Sequence, residues 1–438
     1  MTKVTTGLLL GLLLSPPAFA EDLMDVFGMA LHSDPQLLAE AASREAIGEL
    51  DDQALANFLP QVGLSANTTR NWSDVSGATR DSSDLNFNSH GYTLNLTQSL
   101  YNRQNFVQKE QADIAIDSAD VSFFAAEQAL IVRVAERYFA VLGAEDDLRF
   151  AKAEYEAIAE QLQQMQGRFD VGIATITDVT EAQAAYDLAN AARIAAENAL
   201  NDAHEQLRET AGEYLYDLDA LQQEAPLVAP EPSNIDEWSQ TALLQNPALQ
   251  VASNNVEIAR QEIEMQRSGH YPRLDIVAEK SYQSQNNSVL RGRNTNHDKA
   301  IGLEFTLPIY SGGAVSSRTR EAGHRLNEMM QVEEQQRRLV TRQTRESYNG
   351  VLSGISRVKA LQQAVASNQK ALEATEAGFN VGTRTTVDVL NARRNLFSAH
   401  RDYARSRYDY ILNTLRLKQA AGIVSVVDLE QINLWLAP

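Results

Sequence analysis

The chemically capable side chains of this sequence are scattered rather than gathered. Its seven histidines are His32, His90, His204, His270, His297, His324 and His400, and no two are spaced as a local metal-binding pair. No His-Glu-x-x-His, Gly-x-Ser-x-Gly or phosphate-loop pattern occurs. Cysteine is absent, which removes thiol catalysis, thiolate metal sites, disulfides and a lipid anchor on an N-terminal cysteine. Acidic neighbours such as Asp51-Asp52 and Glu145-Asp146-Asp147 read as solvated helix faces rather than acid/base pairs. What remains is capping and electrostatics. Thr175-x-x-Asp178 and Thr385-x-x-Asp388 have the spacing of a helix N-cap with an acidic residue in the first turn. Gly172 and Gly382 precede them as turn residues able to take positive φ. Groups of this kind hold helix starts in place and break no bonds. The chain reads as a non-enzyme that needs no cofactor and no metal.

These two turns are copies of each other. Phe169-Asp-Val-Gly172 recurs as Phe379-Asn-Val-Gly382, and Ala211-Gly212 recurs as Ala421-Gly422, 210 residues on in both cases. Asp34-Pro35 likewise matches Asn246-Pro247, and Pro60 matches Pro272. A nearly constant offset means two structural repeats, residues 21–217 and 236–427. They are joined by a linker over 218–235, where Pro226, Pro230 and Pro232 break any helix, and followed by a tail over 428–438.

Each repeat reads as helix, strand, loop, strand and two long helices. The first helices are expected over 23–58 and 236–269, ended by Pro60 and Pro272. Strands are expected over 61–73, 88–101, 272–284 and 299–310. Tyr92, Leu94, Leu96 and Leu100 share one parity, as do Ile301, Leu303, Phe305, Leu307 and Ile309, while polar residues take the other. Polar loops are expected over 73–89 and 284–299. The long helices are expected over 103–167, 175–212, 312–377 and 385–421. Val134, Tyr138, Val141, Leu148 and their successors keep 3-and-4 spacing, the mark of a coiled coil. One heptad position is usually Ala or Ser, which lets helices pack closely on two seams. A continuous helix over 103–167 would be ~97 Å long.

Composition constrains the setting. The 438 residues carry 38 Lys and Arg against 58 Asp and Glu, a net charge of −20, which counts against nucleic acid as a partner. Lys3, the apolar run over 7–14 and Ala18-Phe-Ala20 form a signal peptide over 1–20, so the mature chain is exported. No later stretch is apolar enough for a membrane helix, and mean hydropathy is −0.33. Any span must be β. Four strands cannot close a barrel, and open edges are not tolerated in lipid, so the chain must pool strands with copies of itself: eight in a dimer, twelve in a trimer. Trp72, Tyr92, Tyr101, Tyr271, Tyr282 and Tyr310 near strand ends suit an interfacial belt. A soluble β-sandwich with scattered aromatics is the competing reading.

Nearly the whole mature chain resembles the TolC family of outer-membrane channel-tunnels, which serve tripartite efflux pumps and type I secretion. The likeness is carried by Leu307-Pro-Ile-Tyr-Ser-Gly-Gly313, by residues 379–390 from Phe379 to Leu390, and by the twofold repeat. It implies a mixed α/β membrane protein: a homotrimer with one 12-stranded β-barrel, four strands from each protomer, continuing into an α-helical coiled-coil tunnel. The linker and tail would form an equatorial belt. It also implies outer-membrane lipid around the barrel, the tunnel in the periplasm, and docking to a periplasmic adaptor and an inner-membrane efflux or ABC transporter. By position, Phe379 and Arg384 would face Thr177 and Asp178 in a periplasmic gate, with Glu376 and Arg407 in the same network. Asp388 and Asn391 would ring the entrance, and Gly172, Asp178, Gly382 and Asp388 would mark the docking tips. Two departures stand out. The family's gate tyrosine is Phe379 here, and its second entrance aspartate is Asn391. Arg384 has no counterpart in the first repeat, where Ala174 stands.

Two other functions fit parts of the pattern. A periplasmic coiled-coil adaptor or scaffold would have the helical hairpins without a membrane barrel. A general diffusion porin is disfavoured by how much of the chain is coiled coil.

Overall fold

The computed structural model describes residues 21–77, 80–223, 225–286 and 292–437; the expected signal peptide over 1–20 lies outside them. The order of elements is α1 Leu23–Ser33, α2 Pro35–Gly48, α3 Leu50–Ala56, β1 Gln61–Gly77, β2 Arg80–Asn102, α4 Arg103–Asp170, α5 Ile176–Ala211 and β3 Ala220–Leu221. It continues with α6 Ile235–Gln245, α7 Pro247–Arg267, β4 Arg273–Gln285, β5 Asn294–Thr306, α8 Ala314–Asn380, α9 Thr386–Ala420, α10 Val426–Asn433 and β6 Leu436–Ala437. Two compact units result. Among the described residues, one comprises those of 39–125 and 245–340; the other comprises those of 21–38, 126–244 and 341–437.

The first helix of each repeat is not continuous as expected. Asp34 and Asn246 stand at ψ 115° and 121°, outside the helical region. The proline after each disfavours helical geometry at the preceding residue and is itself suited to the first helical position. Asp34 Oδ1 then accepts from the Leu37 amide at 2.8 Å, and Asn246 Oδ1 accepts from the Leu249 amide at 3.2 Å. Asp34 is buried and doubly bound to Arg133, at 2.8 and 3.1 Å. A further break at Glu49 separates α2 from α3.

The first unit holds an antiparallel sheet in the order β1-β2-β4-β5. The strands run well beyond the apolar alternation, so much of the expected polar loops is strand. β1 and β2 pair as far out as Gly77 with Arg80, and β4 pairs with β5 to Gln285 with Asn294. The backbone ladder does not require apolar side chains. Where both faces are polar, as at Gln283 opposite Asn296, period-2 patterning vanishes while the hydrogen bonds persist. One face carries Val62, Leu64, Leu94, Ile301, Leu303 and Phe305, all exposed; Ile301 retains 81% of its surface. β1 and β5 form the two edges, and neither pairs with another named strand on its outer side. No described helix is long and apolar enough to cross a membrane.

The second unit is helical. Val134, Tyr138, Val141, Ile158, Met165, Ala182, Ala189, Leu207, Val389, Leu396, Tyr410 and Leu417 are buried, as the 3-and-4 spacing expects. Linker and tail are knitted together and to the segment before α1: β3 pairs with β6, and the Asp219 amide donates to the Glu21 carbonyl at 3.3 Å. Tyr138 Oη donates to the Asp219 carbonyl at 2.8 Å, and Tyr410 Oη accepts from the Val228 amide at 2.7 Å. Burial and the nearby Asp219 push the Tyr138 phenol far above its ordinary pKa, so it stays a donor.

A polar ladder fastens α9 to α4 in antiparallel sense. Arg401 meets Glu154 at 3.1 Å, Arg405 meets Asp147 at 3.7 Å, and Arg416 meets Glu136 at 2.7 Å. Tyr408 Oη donates to Asp146 at 2.8 Å. The equivalent positions of α5 hold Ala191, Ala195, Gln206 and Asn198, so α5 lacks these ion pairs, although Gln206 accepts from Arg137 of α4 at 2.5 Å. The rungs differ in shielding: Glu154 keeps 12% of its side-chain surface, whereas Arg405 keeps 71%. Double-mutant cycles read by amide hydrogen exchange in α9 should give a coupling of about 1.5 kcal/mol for Glu154 with Arg401 and about 0.3 kcal/mol for Asp147 with Arg405. Equal couplings would mean that shielding does not set the strength of the rungs.

Candidate functional site

Both helix hairpins end in the same local construction. α4 closes through Gly172, at φ +77°, whose amide donates to the Phe169 carbonyl at 2.9 Å. Gly382, at φ +79°, does the same against Phe379 at 3.1 Å. Both positions require a left-handed backbone that glycine adopts without a Cβ clash. Thr175 then caps α5 in a reciprocal box: the Asp178 amide donates to Thr175 Oγ1 at 3.2 Å, and the Thr175 amide donates to Asp178 Oδ2 at 2.9 Å. Thr385 and Asp388 repeat this at 3.2 and 2.9 Å. Bonds from Thr175, with a lesser one from Thr386, hold the Asp178 carboxyl below its ordinary range. Bonds from Thr385, with the charge of Arg384, do the same for Asp388.

The hairpins touch through residues that differ between repeats. Thr386, buried where the first repeat has exposed Ile176, has its hydroxyl 3.4 Å from Asp178 Oδ1 and 3.4 Å from Met165 Sδ. The Arg168 guanidinium lies 4.7 Å from the Phe379 ring centroid, a cation–π contact. The residue matching Arg168 in the second repeat is Gly378, and the Arg384 side chain folds over it: a Cβ there would fall 2.8 Å from Arg384 Cγ. Glu376 pairs with Arg393 at 2.8 Å, and Arg393 also donates to the Ala157 carbonyl at 2.7 Å.

The structure thus brings Asp178, Phe379, Glu376, Arg384 and Asp388 to the hairpin ends, with partners other than those expected within one chain. Asp178 receives Thr386, Phe379 receives Arg168, and Glu376 receives Arg393. Arg384 acts on Asp388. Thr177 is exposed, and Asn391 accepts from Arg394 at 3.2 Å. Arg407 is elsewhere: nineteen residues along α9 from Asp388, or about 29 Å of helix, it donates to the Gln222 carbonyl in the linker. Thr386, Arg168 and Arg393 escaped sequence reasoning. The repeat comparison held their signal, since the matching residues are Ile176, Gly378 and Gln183. Among the described residues no group of His, Asp and Glu is arranged to hold a metal ion.

Comparison with known proteins agrees with this architecture. The profile of the family described as outer membrane efflux protein matches residues 26–213 and again 238–423. Outer membrane protein TolC of Vibrio cholerae is 38% identical over 97% of this chain and 95% of its own. The alkaline protease secretion protein AprF of Pseudomonas aeruginosa is 31% identical over 96% of this chain and 88% of its own. The Campylobacter jejuni CmeC outer membrane channel superposes with TM-score 0.77 over 95% of this chain and 90% of its own, at 17% identity, a likeness of fold. Relationships spanning the whole chain leave no support for an adaptor or scaffold without a membrane portion. The chain belongs to the outer membrane efflux protein family: it is an outer-membrane channel of efflux and type I secretion, a conduit and not an enzyme.

Proposed function

We propose that three copies pool their sheets into one 12-stranded barrel, which continues into a periplasmic tunnel of coiled helices closed at the hairpin ends. The observation that carries this reading is the four-stranded sheet itself. It has an exposed apolar face and two edges, and lipid would leave the edge amides and carbonyls unsatisfied unless another copy pairs with them. Twelve strands from three chains meet that demand. A gel comparing unheated with boiled protein, together with mass measurement in detergent, tests it; a monomer that stays monomeric in detergent would sink it.

In this reading the channel supplies no energy. A periplasmic adaptor and an inner-membrane efflux or ABC transporter engage the tips around Gly172, Asp178, Gly382 and Asp388 and open them. The name of the relative from Pseudomonas aeruginosa supports secreted protein among the cargo. Crosslinking in cells from the tips should capture the adaptor; crosslinks to none would remove the docking assignment.

The gate we propose comprises the contacts between hairpins: Thr386 on Asp178, Arg168 on Phe379 and Arg393 on the Ala157 carbonyl, with Glu376 holding Arg393 from within its own hairpin, Arg384 beside Asp388 and Thr177 available to a neighbouring copy. Arg407 acts at a distance, by fastening α9 to the linker. Three Asp388 carboxylates, with Asn391 one turn along, line the entrance and favour cations. Arg384→Ala is expected to raise single-channel conductance several-fold in a planar bilayer, and a variant conducting like wild type would take Arg384 out of the gate. Asp388→Ala is expected to move the reversal potential toward zero under a salt gradient; an unchanged potential would place selectivity elsewhere.

The carboxylates also set a pH dependence. A carboxyl whose pKa is lowered on folding contributes its stability fully above the ordinary value of about 3.9. The contribution is lost only as pH falls through the lowered value. Asp178 and Asp388 are both lowered. Amide exchange at the starts of α5 and α9 should therefore show the same protection at about pH 7 and about pH 5, once corrected for intrinsic rates. Loss of protection already at about pH 5 would contradict the lowered values.

A further inference from the structure

Charge on the sheet is sorted by face. Along β4 and β5 the acidic residues Asp275, Glu279, Asp298 and Glu304 share one parity with the polar residues. Lys280 and Lys299 take the other parity, that of Ile276, Ile301, Leu303 and Phe305. The two lysines are direct cross-strand neighbours, and Leu94 of β2 lies opposite Lys280 on its other side. Both are exposed, and neither has an ion-pair partner among the described residues. Like charges placed opposite each other on one face destabilise a sheet unless something neutralises them.

The next row outward on this face is aromatic. Tyr92, Tyr282 and His297 stand side by side on β2, β4 and β5, with centroid separations of 5.4 Å for the tyrosines and 5.0 Å for Tyr282 with His297. His90 lies one row beyond, 6.3 Å from Tyr282. This rim is at the end of the sheet away from the junctions with α3, α4, α7 and α8. Outward of Ala278 on β4 and Ile301 on β5 this face carries no further aliphatic side chain: the lysine pair comes next, then the aromatic row. Tyrosines mark the water–lipid interface of a membrane barrel. The lysines therefore fall where hydrocarbon gives way to headgroups on the far side of the membrane from the helices. Over residues 62–72 of β1 a second copy brings no acid to them: on this parity it offers Val62, Leu64, Ala66, Thr68, Arg70 and Trp72.

We propose that Lys280 and Lys299, backed by Tyr92, Tyr282, His297 and His90, bind the phosphate group of an anionic lipid in the outer leaflet. The lysines supply the positive charge, and the phenol and imidazole groups supply hydrogen-bond donors at the depth of the ester and phosphate oxygens. The inference rests on the reading of the sheet as part of a lipid-embedded barrel. The apolar rows below seat the acyl chains, so the ligand is a lipid rather than a free phosphate ion.

The test uses the full-length protein in detergent, with retained lipid counted by native mass spectrometry during titration with dioleoylphosphatidic acid or dioleoylphosphatidylcholine. Wild type should retain the phosphatidic acid in preference. The double variant Lys280→Gln with Lys299→Gln should bind it roughly 30-fold more weakly, about 2 kcal/mol at 1.4 kcal/mol per tenfold, in line with two lysines at an anionic surface. The double arginine variant should keep the preference, and inorganic phosphate should not compete. Equal retention by the glutamine variant, absence of any preference, or displacement by inorganic phosphate each overturns the proposal. Planar-bilayer conductance separates the two readings. A protein that conducts but shows no lipid preference refutes only the lipid site, whereas one that neither inserts nor conducts removes the barrel and the lipid site together.

Discussion

A backbone polar group in hydrocarbon must find its partner inside protein, and this chain offers a sheet that cannot meet that requirement alone. β1 and β5 present edges to whatever surrounds them, and the face between them exposes Val62, Leu64, Leu94, Ile301, Leu303 and Phe305. Everything else about the chain is compatible with that shortage being made good by identical neighbours. Strands leave the helices almost without a connecting loop, as where β2 ends at Asn102 and α4 begins at Arg103. Among the described residues the large sheet has four strands and the chain has four long helices, two of each from either repeat.

The duplication of the sequence conceals a division of labour. Both hairpins have the same glycine turn and the same capping box, and those local devices account for why the long helices start and stop where they do. The contacts between hairpins are not duplicated. α9 is tied along its length to α4 by arginines whose counterparts on α5 are alanine or glutamine, and its first turn buries Thr386 where α5 exposes Ile176. The repeats therefore share a backbone plan and differ in how firmly, and to what, they are fastened.

Local devices were legible in the sequence, and distant ones were not. The caps at Thr175 and Thr385 could be read because donor and acceptor are three residues apart. The apolar halves of the strands could be read because one face excludes water and imposes period 2 on Leu94, Leu96, Ile301 and Leu303. The outer halves could not, since a ladder wet on both faces leaves no periodic trace. The interruptions at Asp34 and Asn246 were written in the following prolines, but the helical patterning on either side masked them. Partners such as Arg393 with Glu376 depend on which helices lie side by side, which spacing alone does not tell. Resemblance supplied the gate residues as a group, yet distance along α9 separates Arg407 from the rest.

The two capping boxes have a mechanical consequence. Each hairpin end satisfies its own backbone, so parting the start of α9 from the start of α5 costs no main-chain hydrogen bond. What must give way are side-chain contacts: a hydroxyl leaning on Asp178, a guanidinium resting on the Phe379 ring, Arg393 on the Ala157 carbonyl, and Leu390 against Ile158 and Ala189. Such contacts re-form as readily as they break, because nothing on either side has unwound. In the proposed opening the turns would travel as prefabricated pieces, with no refolding to be done.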